Sequence, residues 1–269
     1  MSEQLPIERD ELAVFFETLA GIAAAETLPH FRKLTGISNK FASGFDPVTE
    51  ADRNAETALR HAIEKRFPDH GIIGEEHDNT RESARWQWII DPIDGTRAFI
   101  SGLPGWGTLI GLYCDGAPIA GLLGQPWTGE LFWGFSGDAP EAFTSRNGDV
   151  LELKTSRCDT LSAATMMTTS PRIFSPADLA SYDRLEAAVQ LPRYGFDCYA
   201  YAMLAAGHVD IVAECDLNIY DIAALIPIIE GAGGVVTSWT GGPAAQGGSV
   251  LASANQTLHE QALAVLAGD

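Results

Sequence analysis

The sequence predicts an α/β (α+β) fold in which two sheets alternate with three helical layers. Three observations carry that expectation. Apolar residues recur at helical spacing twice within about the first 67 positions, a row of short β-rich runs follows, and from about Leu161 strand and helix patterns alternate.

The elements follow in order. Leu12, Phe15, Phe16, Leu19, Ile22 and Ala23 lie on one face of an acidic N-terminal helix, which lacks the basic region and long apolar core of a signal peptide. A second helix carries Ala55, Leu59, Ala62, Ile63 and Phe67, and Thr49 and Asp52 open it in a capping-box pattern. Strands are expected around Ile72, Trp88, Leu109, Ile119 and Phe132, with a hairpin turn at Cys114-Asp115-Gly116-Ala117. Asn147-Gly148 is another turn signal, before a strand over Val150–Leu153. Beyond Leu161 come strand Thr165–Thr169, helices over Ala177–Gln190 and Cys198–Ala206, and strand Val209–Ala213. Tyr220-Asp221 then opens an apolar helix through Ile222, Leu225, Ile226 and Ile229, and Glu230-Gly231-Ala232-Gly233-Gly234 ends it ahead of strand Val235-Val236-Thr237. That order, helix before strand, is the reverse of a dinucleotide-binding fingerprint. Residues 1–155 and 156–269 are expected to be two halves of one compact catalytic unit, α+β with the metal motifs and then α/β.

Composition narrows the function. With 269 residues, 46% of them hydrophobic, the chain can bury a large core. A net charge of −19 excludes nucleic acid and anionic membrane as main partners, and no uninterrupted apolar run approaches the ~20 residues that span a bilayer. Cys114, Cys158, Cys198 and Cys215 show no C-x-x-C spacing and are read as thiols of a cytoplasmic protein. Asn255-Gln256-Thr257 fits a glycosylation sequon, read as a chance match, and the six scattered histidines are assigned surface or helix-end roles.

The chemistry centres on Asp91-Pro92-Ile93-Asp94-Gly95-Thr96. Two carboxylates three residues apart follow a buried strand run, where Pro92 is expected to end ladder pairing, and precede a turn in which Gly95 and the next N–H groups can approach an anion. Asp-Pro and Asp-Gly are also ordinary turn dipeptides, and the spacing does not fit a calcium loop. Three further acidic motifs share such contexts: Asp46 through Asp52 at a helix start, Gly71-Ile72-Ile73-Gly74-Glu75-Glu76 at a strand end, and Asp221 in a helix first turn. Each alone also reads as a cap, a solvated loop or a dipole-favoured charge.

Together, Trp88 through Thr96, Gly74-Glu75-Glu76, Thr49-Glu50-Ala51-Asp52 and Tyr220-Asp221-Ile222-Ala223-Ala224 resemble the inositol monophosphatase family of magnesium-dependent phosphatases. The resemblance implies its five-layer αβαβα sandwich, the sugar-phosphatase fold, usually as a homodimer. It also implies two or three Mg²⁺ per site. Glu75, Asp91 and the Ile93 carbonyl would bind one, Asp91, Asp94 and Asp221 a second, and Asp52 a weaker third through water. Asp52, Glu75 and Thr96 would be catalytic, Asp52 and Thr96 orienting the attacking water, with Glu75 both ligand and base. Asp94, Gly95, Thr96, Gly195, Asp197, Glu214 and Asp221 would bind the substrate, a small phosphate monoester. Lys40 lies near a family lysine, its role left open.

Hard oxygen donors suit magnesium, whereas zinc would recruit His or Cys, and the motifs contain neither. Asp-x-x-Asp is not the Asp-x-Asp of a phosphoenzyme-forming hydrolase, and H-E-x-x-H, G-x-S-x-G and Walker A patterns are absent. For substrate, Arg97 through Pro104, Thr169-Ser170-Pro171 and Asp197-Cys198-Tyr199 resemble the histidinol-phosphatase branch, which acts in histidine biosynthesis. Asp197 and Glu214 would face the ammonium of histidinol phosphate. The alternatives are an inositol-1-phosphate or other sugar or nucleotide phosphatase, and a catalytically idle regulatory binding protein.

Overall fold

The computed structural model describes residues 5–33, 38–39, 47–48 and 50–268. Lys40, Asp46 and Thr49 lie outside the described residues. Helix α1 (Arg9–Thr27) precedes a short antiparallel pair, β1 (Ser38–Asn39) and β2 (Pro47–Val48), and helix α2 (Glu50–Arg66). A seven-stranded sheet follows in sequence order: β3 (Gly71–Gly74), β4 (Trp86–Asp94), then after the short helix α3 (Thr96–Ile100), β5 (Gly107–Cys114), β6 (Ala117–Gln125), β7 (Glu130–Phe135), β8 (Glu141–Arg146) and β9 (Asp149–Glu152). It is antiparallel except for the parallel β3–β4 pair. The second sheet comprises β10 (Thr165–Thr168), β11 (Leu191–Tyr194), β12 (Ile211–Leu217), β13 (Val235–Ser238) and β14 (Gly248–Ser253), in spatial order β11-β10-β12-β14-β13. Its helices are α4 (Pro176–Ala188), α5 (Asp197–Ala205), α6 (Ile219–Ile222), α7 (Leu225–Gly231) and α8 (Gln256–Ala267).

Alternation of side chains along the strands sorts these elements into layers. Leu12, Phe15, Phe16 and Leu19 of α1, with Leu59 and Ile63 of α2, pack on Trp88, Ile90, Ile110, Leu112 and Leu122 of one sheet face. The opposite face, through Leu109, Leu123 and Phe132, meets α5 and α7, which also pack on Met167, Val212 and Ala252 of the second sheet. Tyr182 and Leu185 of α4 and Leu258, Ala262 and Leu266 of α8 cover that sheet's outer face at Met166, Ile211 and Leu251. The result is a five-layer αβαβα sandwich. Each fully buried Leu, Ile or Phe in these layers contributes about 1.5–3 kcal/mol.

The middle layer is seated by a row of glycines. Gly111 pairs with Gly121, and Gly121 with Gly134, across β5, β6 and β7. A Cβ at Gly121 would lie 2.0 Å from the Ala224 carbonyl oxygen, and one at Gly134 2.5 Å from that of Pro227. The missing side chains open a trough into which the α6–α7 backbone settles, carrying Asp221 with it.

Several elements differ from expectation. The helix expected from Tyr220 through Ile229 is divided into α6 and α7, because Pro227 has no N–H to donate and its ring clashes with the carbonyl four residues earlier. Strands β8, β11 and β14 and helices α3 and α8 were not expected. Asn255, read as a chance sequon, caps α8 by accepting from the Leu258 N–H at 3.0 Å, and donates to the Cys158 carbonyl at 2.7 Å. His70 and His259 are buried, not at the surface. His70 stacks on Phe67 and accepts at Nδ1 from Trp88 Nε1 at 3.0 Å, while His259 meets the Thr237 and Ser253 hydroxyls. Burial pushes the His259 pKa down to about 4. Both hairpin turns are as expected, with positive φ at Asp115-Gly116 and Asn147-Gly148.

The trough makes a signed prediction. Gly121→Ala forces a methyl against immovable backbone and is expected to lower stability by about 1–3 kcal/mol or more. Gly21→Ala, exposed in mid-helix with nothing within 4 Å of the new methyl, is expected to raise it by about 0.5–1 kcal/mol. Urea denaturation of both variants checks this, and equal effects would refute the trough.

Candidate active site

The acidic corner is built on an irregularity in the central strand. In a regular strand Asp91 and Asp94 would point to opposite faces. Here Asp91 pairs with Leu109 and Asp94 with Gly107, so three steps along β4 oppose two along β5. This bulge brings both carboxylates to one side. Pairing therefore resumes at Asp94 rather than ending at Pro92, whose missing donor falls inside the irregularity. The Pro92 carbonyl accepts from the buried Thr108 hydroxyl at 2.7 Å. Ile93 points away into Phe31, Ala51, Phe99 and Trp106, and its N–H donates to Asp91 Oδ1 at 3.1 Å.

Asp221 arrives from the other half of the chain. It sits in α6, where its Oδ2 accepts from the Asn218 N–H at 2.6 Å in a capping box. Ligand oxygens of Asp91, Asp94 and Asp221 all lie within 4.8 Å of one another. Asp52, on the buried face of α2, and Glu75, at the end of β3, stand close enough for their charges to act on Asp91. Burial first, then the charges of Glu75, Asp94, Asp221 and Asp52, hold the Asp91 pKa well above the carboxylate range. Asp94 is raised by burial and by Asp197 and Asp221, against the lowering effect of its contacts with Cys198. Burial lifts Asp221 to about 6. Such a group of acids favours either protons or a cation. Its donors are carboxylate oxygens, so the residues fit a hard divalent metal.

A cavity of about 310 Å³ opens from this corner, lined among others by Asp94, Gly95, Thr96, Arg97, Asp197, Glu214 and Asp221. Gly95 is left-handed, and a Cβ there would press on the Gly105 carbonyl and on Asp197 Oδ2. The Thr96 hydroxyl donates to the Ile93 carbonyl at 3.1 Å. Gly195 is not among the cavity-lining residues. Its N–H donates to the carbonyls of Thr168 and Thr169, and with Phe196 and Asp197 it forms three successive left-handed residues that turn the Asp197 carboxyl inward. Asp197 therefore opens α5 from inside the cavity rather than capping it from the surface.

Asp197 and Glu214 are both shifted. Burial raises Asp197 to about 6, partly offset by its hydrogen bond with Thr169 and by the Arg97 charge. Glu214, buried, is raised to about 7 although it accepts from the Thr168 hydroxyl at 3.1 Å and the Thr169 N–H at 2.5 Å. The metal motifs contain no cysteine, but Cys198 and Cys215 line the cavity beside them, and the Cys198 N–H donates to Asp94 Oδ2 at 2.7 Å. Burial beside Asp94 pushes the Cys198 thiol well above its ordinary pKa and keeps it protonated, a poor ligand. Thr169 and Cys198 fall within the Thr169-Ser170-Pro171 and Asp197-Cys198-Tyr199 motifs, but neither the clamp on Glu214 nor the N–H on Asp94 can be read from them.

Comparison with known proteins identifies the family. The sequence model of the Inositol monophosphatase family matches residues 8–268. The chain is 41% identical over 273 residues to the bifunctional phosphatase IMPL2, chloroplastic, of Arabidopsis thaliana, covering 97% of this chain and 77% of that protein. It is 35% identical to the histidinol-phosphatase of Chlorobaculum parvum, over 82% of this chain and 83% of that protein. Among solved structures, an inositol monophosphatase from Zymomonas mobilis superposes with a TM-score of 0.83 at 39% identity, covering 97% of this chain and 100% of that one. With a phosphatase family's sequence pattern, its sandwich and an acidic corner suited to a metal, the chain belongs to the inositol monophosphatase family and is a phosphoric monoester hydrolase.

Proposed function

We propose that the protein hydrolyses histidinol phosphate to histidinol and phosphate with Mg²⁺ at the acidic corner. One observation carries the substrate choice: two carboxyls outside the corner, half-buried Asp197 and buried Glu214, line the same cavity. A neutral alcohol offers them no charge, whereas an ammonium does. The relatives named histidinol-phosphatase, from Chlorobaculum parvum and Mycobacterium tuberculosis among others, support the same choice.

In this reading Glu75, Asp91 and the Ile93 carbonyl would hold one Mg²⁺, and Asp91, Asp94 and Asp221 another. The metal, when bound, lowers the pKa of water and neutralises charge on the leaving oxygen. The chain does the rest. Asp52 and the Thr96 hydroxyl orient the attacking water, and Glu75 takes its proton. Backbone N–H groups of Gly95 and Thr96 hold phosphate oxygens. Asp197 and Glu214 fix the ammonium, so the ester oxygen faces the corner and the ring lies toward the cavity mouth. The protein would act in the cytoplasm as a homodimer. Among the described residues no helix is long and apolar enough to cross a membrane.

Steady-state kinetics test the substrate. kcat/KM for histidinol phosphate is expected to exceed that for inositol 1-phosphate by at least about tenfold, since a charge-assisted hydrogen bond contributes roughly 1.5–3 kcal/mol. The opposite order rejects the proposal. Asp197→Asn is expected to cost about that factor on histidinol phosphate and little on a neutral-alcohol phosphate; equal losses contradict the ammonium contact. Chelation, like Asp91→Asn, is expected to abolish turnover.

The raised carboxyls give a pH dependence. With Asp197 at about 6 and Glu214 at about 7, both are mostly neutral below those values and ionised above them. Histidinol affinity by calorimetry should therefore rise between about pH 5.5 and 8, where the amine stays charged. A flat or falling profile would count against these two residues.

A further inference from the structure

We infer that Glu56 is the positioning residue for Glu75, holding the loop after β3 against α2 so that Glu75 meets the acidic corner in register with Asp52. The inference rests on Glu75 being a metal ligand. Glu56 lies one helical turn after Asp52 on α2, so the face that delivers one delivers the other. Its side chain is fully buried, rare for a glutamate, and its two oxygens are divided between partners. Oε1 takes Arg60 Nε at 2.7 Å, and Oε2 accepts from the Glu76 N–H at 2.7 Å. Gly74 completes the fit from the other side: a Cβ there would fall 2.1 Å from Glu56 Oε1.

Glu75 is thus bracketed by two residues that touch the Glu56 carboxylate. The grip extends along the loop. Arg60 Nη2 donates to the His77 carbonyl at 3.2 Å, and the Thr57 hydroxyl meets His77 Nε2 at 3.0 Å. On its inner side the Glu75 N–H donates to the Ile90 carbonyl at 3.3 Å, one residue before Asp91. An i,i+4 pair that served only its helix would have no need of full burial, nor of an oxygen turned to another element's backbone. Outer contacts of this kind fix a ligand's direction, and their loss typically costs 10–100-fold in metal affinity.

The test is direct binding of Mn²⁺, as a probe for Mg²⁺, by calorimetry or electron paramagnetic resonance, on the full chain well below its melting temperature. Glu56→Ala is expected to weaken Mn²⁺ binding by about 10–100-fold, while kcat at saturating metal returns to within a few-fold of the parent. Gly74→Ala, which displaces the same carboxylate sterically, is expected to act alike. Glu56→Gln keeps one acceptor and is expected to fall between. A purely structural role would lower the melting temperature and leave the affinity of the folded protein unchanged, and that result overturns the inference. If Glu56→Ala does not fold, Gly74→Ala and Glu56→Gln decide it by the same readout. Glu75→Ala separates the two levels: if it leaves Mn²⁺ binding intact, the metal reading fails; if it weakens binding while folded Glu56 and Gly74 variants do not, only the positioning inference fails.

Discussion

Like charges held together out of water are the constraint on which this molecule is organised. At about 4 Å two carboxylates repel by about 4 kcal/mol at an effective dielectric of 20. Asp91 feels Glu75, Asp94, Asp221 and Asp52 at once while itself buried. Left alone, such a corner relaxes by protonation or by moving apart. The fold prevents the second course, because the acids are held by separate rigid elements: Asp52 by α2, Glu75 at the end of β3, Asp91 and Asp94 by β4, and Asp221 by α6. The remaining ways to lower the energy are protons and a cation, and the proposed chemistry follows from the cation.

The devices that enforce convergence are backbone features. A single extra residue in β4 turns Asp94 to the side of Asp91. The glycine row of β5, β6 and β7 lets α6 and α7 settle onto the sheet, bringing in Asp221 from about 130 positions away. Asn218 then fixes the Asp221 carboxylate with a donated N–H. Three left-handed residues at Gly195, Phe196 and Asp197 turn a further acid into the cavity, at a conformational cost of order 1–3 kcal/mol for each non-glycine. Strain of that size persists where surrounding packing over-determines it, and here Phe196 lies against Gly105 while Gly195 is bonded to Thr168 and Thr169.

The acids themselves were legible in the sequence, because turn and cap chemistry around Asp52, Glu75, Asp91 and Asp221 marks where strands end and helices begin. Family resemblance turned four weak local signals into one site. What escaped is what depends on contacts distant in sequence. The bulge at Pro92 needs the β5 partner to be seen, and the break between α6 and α7 needed closer attention to Pro227. The short edge strand β11 has no alternation to betray it. The Asp197-Cys198-Tyr199 motif marks Cys198, but not that an α5 start in a left-handed turn puts its N–H on Asp94. The role of Glu56 has no local signal, since Gly74, the residue that makes room for it, is 18 positions further on. His70 and His259 were misjudged because a histidine buried against aromatic rings or hydroxyls has the same local sequence as an exposed one.

The crowding of acids is tested most directly by the stability of the chelated protein against pH, with and without excess Mg²⁺. The raised folded-state values, about 6 for Asp197 and Asp221 and about 7 for Glu214, mean that their contribution is fully present below the unfolded carboxylate pKa of about 4 and is lost as pH rises through the folded values. The melting temperature of the metal-free protein should therefore fall between about pH 4 and 7, and Mg²⁺ should restore it increasingly toward the alkaline end. A metal-free protein equally stable across that range, and indifferent to Mg²⁺ at pH 8, would contradict the account.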